Sequence, residues 1–240
     1  MKVRSECLRE SNEMDIKNAL ILVTSAGSLL GRTVAAHFAR LGAIVILCDQ
    51  DQAALNDTHK ELYAITQDVY PITLQDYSQS SIQSLFDHIQ AQFNRVPNVL
   101  VNCWTSSPLP LLNTEATSEG FIEKLSSTAG ALYGYVQVCA ERMRRTETKG
   151  VIVNVISHDD HQNFTGVESV TSLVSGFTHS WAKELTPFNI RVGGVIPSIS
   201  HLHGQIDATH WAQVQDELIR NAEYIVANEY FSGRVVTTEI

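Results

Sequence analysis

From Met14 onward the chain repeats one unit: a short run of branched apolar residues, a stretch with helical spacing, then another apolar run. The runs Ala19 to Thr24, Ala43 to Cys48, Tyr70 to Leu74, Val99 to Cys103, Val151 to Ile156 and Ile190 to Ile196 read as six strands. They are too uniformly apolar to be wetted on one face, so both faces must be covered. Between them, Leu30 to Leu41, Gln52 to Ile65, Ser81 to Phe93, roughly Ser118 to Arg144, and Val170 to Leu185 carry helical periodicity. Strands that alternate with helices of this length imply right-handed crossovers and a parallel sheet with helices on both sides. The fold class is therefore α/β, a doubly wound parallel sheet that binds its ligand beyond the carboxyl ends of its strands.

A chain of 240 residues fits one domain with an ample core. Residues 1–13 mix charges without an apolar stretch and are expected to be a flexible leader rather than a signal peptide, with residues 14–240 forming the domain. Seventeen Lys and Arg against twenty-six Asp and Glu give a net charge of −9, which offers no basic stripe for nucleic acid. No apolar run reaches the length of a membrane span. Cys7, Cys48, Cys103 and Cys139 are scattered without a C-x-x-C pair, as expected for reduced thiols in a cytoplasmic protein.

The first strand runs into Thr24-Ser25-Ala26-Gly27-Ser28-Leu29-Leu30-Gly31. Small residues permit a tight strand-to-helix turn, and the amino end of the following helix suits a pyrophosphate. This spacing resembles the T-G-x-x-x-G-x-G turn of the short-chain dehydrogenase/reductase family. The resemblance extends through Val101-Asn102-Cys103-Trp104, where the family has V-N-N-A-G. Gly150 to Ser157 stands at the strand that ends in the family's catalytic Ser, Asn189 to Pro197 before its Pro-Gly turn, and Tyr230 to Gly233 at its closing F-x-T-G. It implies a Rossmann-type three-layer α/β/α fold and an NAD(P)-linked oxidoreductase. The residues it places at the dinucleotide are Thr24, Ser25, Gly27, Ser28, Leu30, Gly31, Asp49, Asp76, Asn102 and Pro197. Asp49, at the end of the second strand, is the position that sets cofactor preference. With no basic residue following it, NAD is favoured over NADP. Asp76 matches the residue that contacts adenine.

The departures are equally specific. Ser25 and Leu29 replace two of the family's turn glycines, so NAD binding is expected to be weak or lost. Ser157 matches the catalytic Ser, but Thr128 falls at the Asn position, Val167 at the Tyr position and Thr171 at the Lys position. No Tyr lies between Tyr135 and Tyr224, and Lys183 is the only Lys after Lys149. The family's proton donor is a Tyr whose pKa a Lys brings toward neutrality, and this chain has no such pair.

Other groups near the same strand end leave alternatives open. His158 and His161 follow Ser157, and His201 and His203 follow Pro197. They form either a substitute acid site or a solvated loop, with no established metal-ligand spacing. Trp104 either fills the space of a nicotinamide ring or stacks on a ligand. The expected function is a family oxidoreductase impaired in catalysis. Its alternatives are a nucleotide-binding sensor, a partner subunit of an active relative, and an enzyme using His158 or His161 as its acid. A homodimer or homotetramer is expected through the two long helices, with Tyr135 and Trp181 near the contact.

Overall fold

The computed structural model describes residues 14–106, 117–158, 167–197 and 208–238, together with 109, 110, 112 and 115. Seven strands, β1 (Leu20–Val23), β2 (Ile44–Asp49), β3 (Val69–Thr73), β4 (Val99–Ser106), β5 (Gly150–His158), β6 (Ile190–Pro197) and β7 (Arg234–Thr238), form one sheet in the order β3-β2-β1-β4-β5-β6-β7. Every pairing is parallel. The chain winds outward from β1 to β3, then crosses back so that β4 lies beside β1. That reversal opens a crevice at the carboxyl ends of β1 and β4, where such sheets take their ligands.

Among the described residues six α-helices cover the sheet: α1 (Leu29–Arg40), α2 (Gln52–Tyr63), α3 (Gln79–Phe93), α4 (Ser118–Arg145), α5 (Val167–Leu185) and α6 (Ala208–Ala227). Alternation along each strand sends side chains to two separate cores. Ile21, Val45, Val101 and Val153 face α1 and α6, while Leu20, Ile46, Leu100 and Ile152 face α3, α4 and α5. Almost all of these are fully buried, which is why the runs carry no polar alternation.

The apolar strand runs legible in the sequence end at Ile196, and α6 and β7 lie beyond them. Val214, Leu218, Ala222 and Val226 recur every four residues on α6 and bury against the first core. Arg191 on β6 ties this helix down. Its guanidinium donates to the carbonyls of Ile225 at 2.7 Å and Val226 at 2.8 Å, acceptors that the end of α6 leaves open, and to that of Phe231 beyond the helix at 3.0 Å. Strand β7 is a sheet edge with only Thr238 buried, too short and too exposed to announce itself as an apolar run.

Candidate functional site

The turn between β1 and α1 is shaped by three residues. Ser25 adopts φ +48°, the left-handed region in which a glycine costs nothing. Ser28 caps α1: its Oγ donates to the Ser25 carbonyl at 2.7 Å and accepts from the Gly31 N–H at 3.0 Å. Gly31 is obligatory, since a Cβ there would lie 2.1 Å from the Ser25 carbonyl oxygen. The first turn of α1 therefore rests directly on the loop backbone. Arg32 already donates to Ser28 O, so the amides of Leu29 and Leu30 remain without an acceptor among the described residues. Two open N–H groups at the positive end of a helix can accept an anion. The Leu30 side chain is buried in the first core, so only its amide is available. Leu29 is 61% exposed, and its side chain points out to solvent from the place where the family has glycine.

Asp49 sits beside this turn at the end of β2. Its Oδ2 accepts from the Gly27 N–H at 2.8 Å and its Oδ1 from the Asp51 N–H at 3.0 Å. Gly27 presses so closely on α2 that a Cβ would meet the Ala54 Cβ at 2.8 Å. Thr58 adds a second latch, donating from Oγ1 to the Ala26 carbonyl at 2.9 Å while accepting from Arg32 Nε at 3.2 Å. The carboxylate is half-buried and keeps lone pairs for a hydroxyl donor. Asp51, which caps α2, adds a second negative charge nearby. Asp51 and Thr58 drew no notice in the sequence, where neither stands in a recognisable pattern.

Asp76 follows β3 but turns toward α3. Its Oδ1 accepts from the Ser78 N–H at 2.9 Å and from the Ser81 hydroxyl at 2.6 Å, with the Ser78 hydroxyl as a third donor. The Ser78 and Ser81 hydroxyls, with the Ser78 amide, hold its pKa below the usual carboxylate value. Next to it, Tyr77 packs edge-on against Tyr135, with ring centroids 6.4 Å apart. The Tyr135 hydroxyl lies 3.5 Å from Cys48 Sγ in the second core. Burial pushes the Cys48 thiol up to about 12 and raises the Tyr135 hydroxyl further.

A polar row crosses the otherwise apolar sheet below the crevice. Thr24 donates to Asn102 Oδ1 at 2.9 Å, and Asn102 Nδ2 donates to Leu132 O at 3.3 Å, joining β1 and β4 to α4. Asn154 is the cross-strand neighbour of Asn102 and donates to Thr178 Oγ1 at 3.3 Å. Its own Oδ1 is buried without a hydrogen-bond partner among the described residues.

The other sequence-predicted residues divide clearly. Ser157 lies near the end of β5 and is buried. Pro197 is the last residue of β6, buried and paired with Thr238. Thr171 is buried and turns its hydroxyl back to Glu168 O at 3.0 Å. Trp104 is half-buried and packs on the second core. The side chains of Thr128, Val167 and His158, and the whole of His161, His201 and His203, lie outside the described residues. Among the described residues no group of His, Cys, Asp and Glu could hold a metal ion, and no helix is long and apolar enough to cross a membrane.

Helices α4 and α5 border a groove of about 380 Å³ lined by Tyr133, Ala140, Arg144, Trp181, Glu184 and Phe188, among others. Phe177 and Trp181 stack at 4.9 Å, and Tyr133 leans on Trp181 at 6.3 Å. The expectation for Tyr135 is corrected here. It is 2% exposed and belongs to the second core, whereas Tyr133 is 49% exposed and faces out. Both tyrosines lie on one apolar-rich helix, and only the position of the sheet decides which stripe is inward.

A family model described as short chain dehydrogenase matches residues 19–212. The (3R)-3-hydroxyacyl-CoA dehydrogenase of Mus musculus is 28% identical over 197 residues, covering 78% of this chain and 76% of that protein. The human enzyme of the same name is 27% identical over 192 residues, covering 76% and 73%. Among solved structures, the hydroxysteroid dehydrogenase of Escherichia coli superposes with a TM-score of 0.74 at 20% identity, over 93% of this chain and 97% of that one. The 3-ketoacyl-(acyl-carrier-protein) reductase of Brucella melitensis, solved with NADH, gives 0.74 at 20% identity over 92% and 97%. At that identity the likeness is one of fold.

Proposed function

The chain belongs to the short-chain dehydrogenase family, and from that membership we propose that it binds NAD in preference to NADP while its capacity for the family's standard hydride transfer is strongly impaired. The observation that carries this reading is the contrast between the two ends of the crevice. At the nucleotide end, the features a dinucleotide needs are present. The amides of Leu29 and Leu30 are open at the helix end, Gly31 lets backbone approach backbone, and Asp49 presents a carboxylate. The fit is sound: those donors suit a pyrophosphate and that acceptor suits a ribose hydroxyl. Asp49 and Asp51 together repel a 2′-phosphate. At the catalytic end, Thr171 occupies the Lys position with its hydroxyl turned onto its own helix, and the Tyr position holds a valine.

A bound nicotinamide supplies hydride chemistry, and the protein's part would be to orient it and to deliver a proton to the developing alkoxide. Ser157 remains to polarise a carbonyl. The sequence carries no Tyr between Tyr135 and Tyr224 and no Lys between Lys149 and Lys183, which supports the absence of a proton-releasing tyrosine and its tuning ammonium. Losing such a donor removes roughly 10² to 10⁴ in rate. Calorimetric titration with NADH and NADPH, followed by a carbonyl and alcohol screen read at the NADH absorbance, tests both halves. Tighter NADH than NADPH binding with little or no turnover is expected. A kcat near the enzyme median of about 10 s⁻¹ on an ordinary ketone overturns the impairment. NADPH binding more tightly overturns the role of Asp49.

A second reading concerns assembly, and the groove between α4 and α5 favours it. Tyr133 and Phe188 offer exposed apolar surface over the buried Trp181, and Glu141, Arg144 and Glu184 supply both signs of charge on one face. A two-fold contact brings this same patch of both signs against its own copy. This would make the chain a homodimer or homotetramer, or a partner subunit of an active relative. Light scattering at micromolar concentration, alone and with such a relative, checks it, and a monomer under both conditions refutes it.

A further inference from the structure

We propose that the cavity at the amino end of the sheet, lined by Lys149 and Glu229, is a second binding site and takes a small amino carboxylate, with the carboxylate of the ligand on Lys149 and its ammonium on Glu229. The site is independent of what the crevice binds.

Position sets it apart. The cavity holds about 470 Å³, within the range of small-molecule sites. Gly150 and Ile190, the first residues of β5 and β6, border it. Ser157 lies seven residues further along β5, roughly 23 Å away at about 3.3 Å per residue. A molecule here touches none of the residues assigned to a dinucleotide.

Charge says what the cavity takes. Lys149 and Glu229 both line it, and neither makes a hydrogen bond or an ion pair among the described residues. Glu229 is half-buried and Lys149 is exposed. A carboxylate that gives up part of its water without a cation to meet it is costly. The Arg191 guanidinium does not serve, because Nη1 and Nη2 already donate to three backbone carbonyls. The cavity therefore holds two opposite charges, each left uncompensated.

The neutral groups agree with that polarity. Asn98 and Asn189 flank the start of β5, their carbonyls accepting from the Val151 N–H at 3.0 Å and the Gly150 N–H at 3.3 Å. Asn98 uses its Oδ1 on the Leu20 N–H at 2.8 Å and keeps Nδ2 to donate, and the Asn189 side chain has no partner among the described residues. Two amides next to Lys149 suit a carboxylate, which only accepts. Ser232 adds a hydroxyl whose oxygen accepts from the Val192 N–H at 3.2 Å and whose proton is unspent. The Glu229 carboxylate, itself acceptor-only when ionised, suits an ammonium. A plain anion is repelled by Glu229 and a plain cation by Lys149, so the pair selects a molecule that carries both charges.

The test is calorimetric titration of the full chain with glycine, β-alanine and 4-aminobutyrate, with acetate and methylamine as single-charge controls. At least one of the three amino carboxylates should bind about tenfold or more tightly than either control. Glu229→Gln should weaken that ligand by about tenfold or more and bring acetate level with it, because the repulsion goes with the attraction. Lys149→Gln should weaken it by only about two- to fivefold, since the ammonium is exposed. The comparison of ligands on wild type needs no variant to fold. Amino carboxylates that bind no better than acetate or methylamine overturn the proposal, as does a preference for them that survives in Glu229→Gln.

Discussion

Replacing Gly31 with alanine isolates the contact on which the whole turn depends. The added Cβ would stand 2.1 Å from the Ser25 carbonyl oxygen, 2.7 Å from its carbon and 2.9 Å from the Ala26 Cα, all backbone atoms that cannot rotate away. Real Cβ contacts essentially never fall under 3.0 Å, so helix and loop must separate by about 0.9 Å. Forced overpacking of this kind costs about 1–3 kcal/mol. Alanine returns up to about 1 kcal/mol through its better helix propensity, less in a first turn than in a helix interior. The net loss is about 2 kcal/mol, and for a domain of this size it lowers the melting temperature by roughly 4–8 °C. Gly176→Ala on α5 is the internal control, because its Cβ would meet nothing within 4 Å and only the propensity gain should remain. Thermal unfolding followed by circular dichroism measures both. NADH affinity in Gly31→Ala should fall as well, since the same separation moves the Leu29 and Leu30 amides. If Gly31→Ala melts at or above wild type, the contact is not the constraint described.

Asp76→Asn should remove a pH-dependent contribution. The folded-state pKa of Asp76 is depressed, so its stabilisation is full above the unfolded value of about 3.9 and disappears as pH falls through the folded value. The melting-temperature difference between wild type and variant, followed from pH 7 downward, should close in that acidic window. A gap that persists there refutes the assignment. Arg191→Met strips three carbonyls of a charged donor and should cost about 2–4 kcal/mol in urea unfolding, with a loss under about 1 kcal/mol counting against it. Burial raises the pKa of Cys48, Cys103 and Cys139, so these three thiols should resist iodoacetamide at pH 8 until the protein unfolds. Peptide mapping before and after denaturant decides that.

How much of this was legible depended on whether a signal lay in residue type or in side-chain direction. The sheet was legible because Ile21, Ile46, Leu100 and Ile152 sit in unbroken apolar runs that only a doubly covered strand tolerates. Gly31 and Asp49 were legible from their spacing after β1 and β2. The Asp49 bond to Gly27 and the turning of Asp76 toward Ser78 were not, because each depends on a rotamer that tertiary packing selects. Tyr135 misled for a related reason. Leu132, Val136 and Cys139 form its inward stripe with it, and Tyr133 only two residues away faces out. Helix α6 carries a four-residue apolar repeat, but the strand after it, β7, is mostly exposed and gives no apolar run to mark α6 as a crossover.

The join between β1 and β4 has a consequence for how the protein is made. Three residue pairs, Ile21 with Val99, Leu22 with Leu100 and Val23 with Val101, close the central ladder, and Leu20 exchanges hydrogen bonds with Asn98 at 2.8 and 3.1 Å. The two sides of each ladder pair are separated by 78 residues of chain, as Thr24 is from Asn102. During synthesis β1, β2 and β3 leave the ribosome first, and β1 then presents an open edge in the middle of the future sheet. At about 5–20 residues per second that edge waits several seconds for its partner. An unpaired apolar strand is the kind of template on which nascent chains misassociate. The Thr24 and Asn102 pair thus fastens the last-arriving rung of a seam that stays open throughout the making of the amino-terminal half.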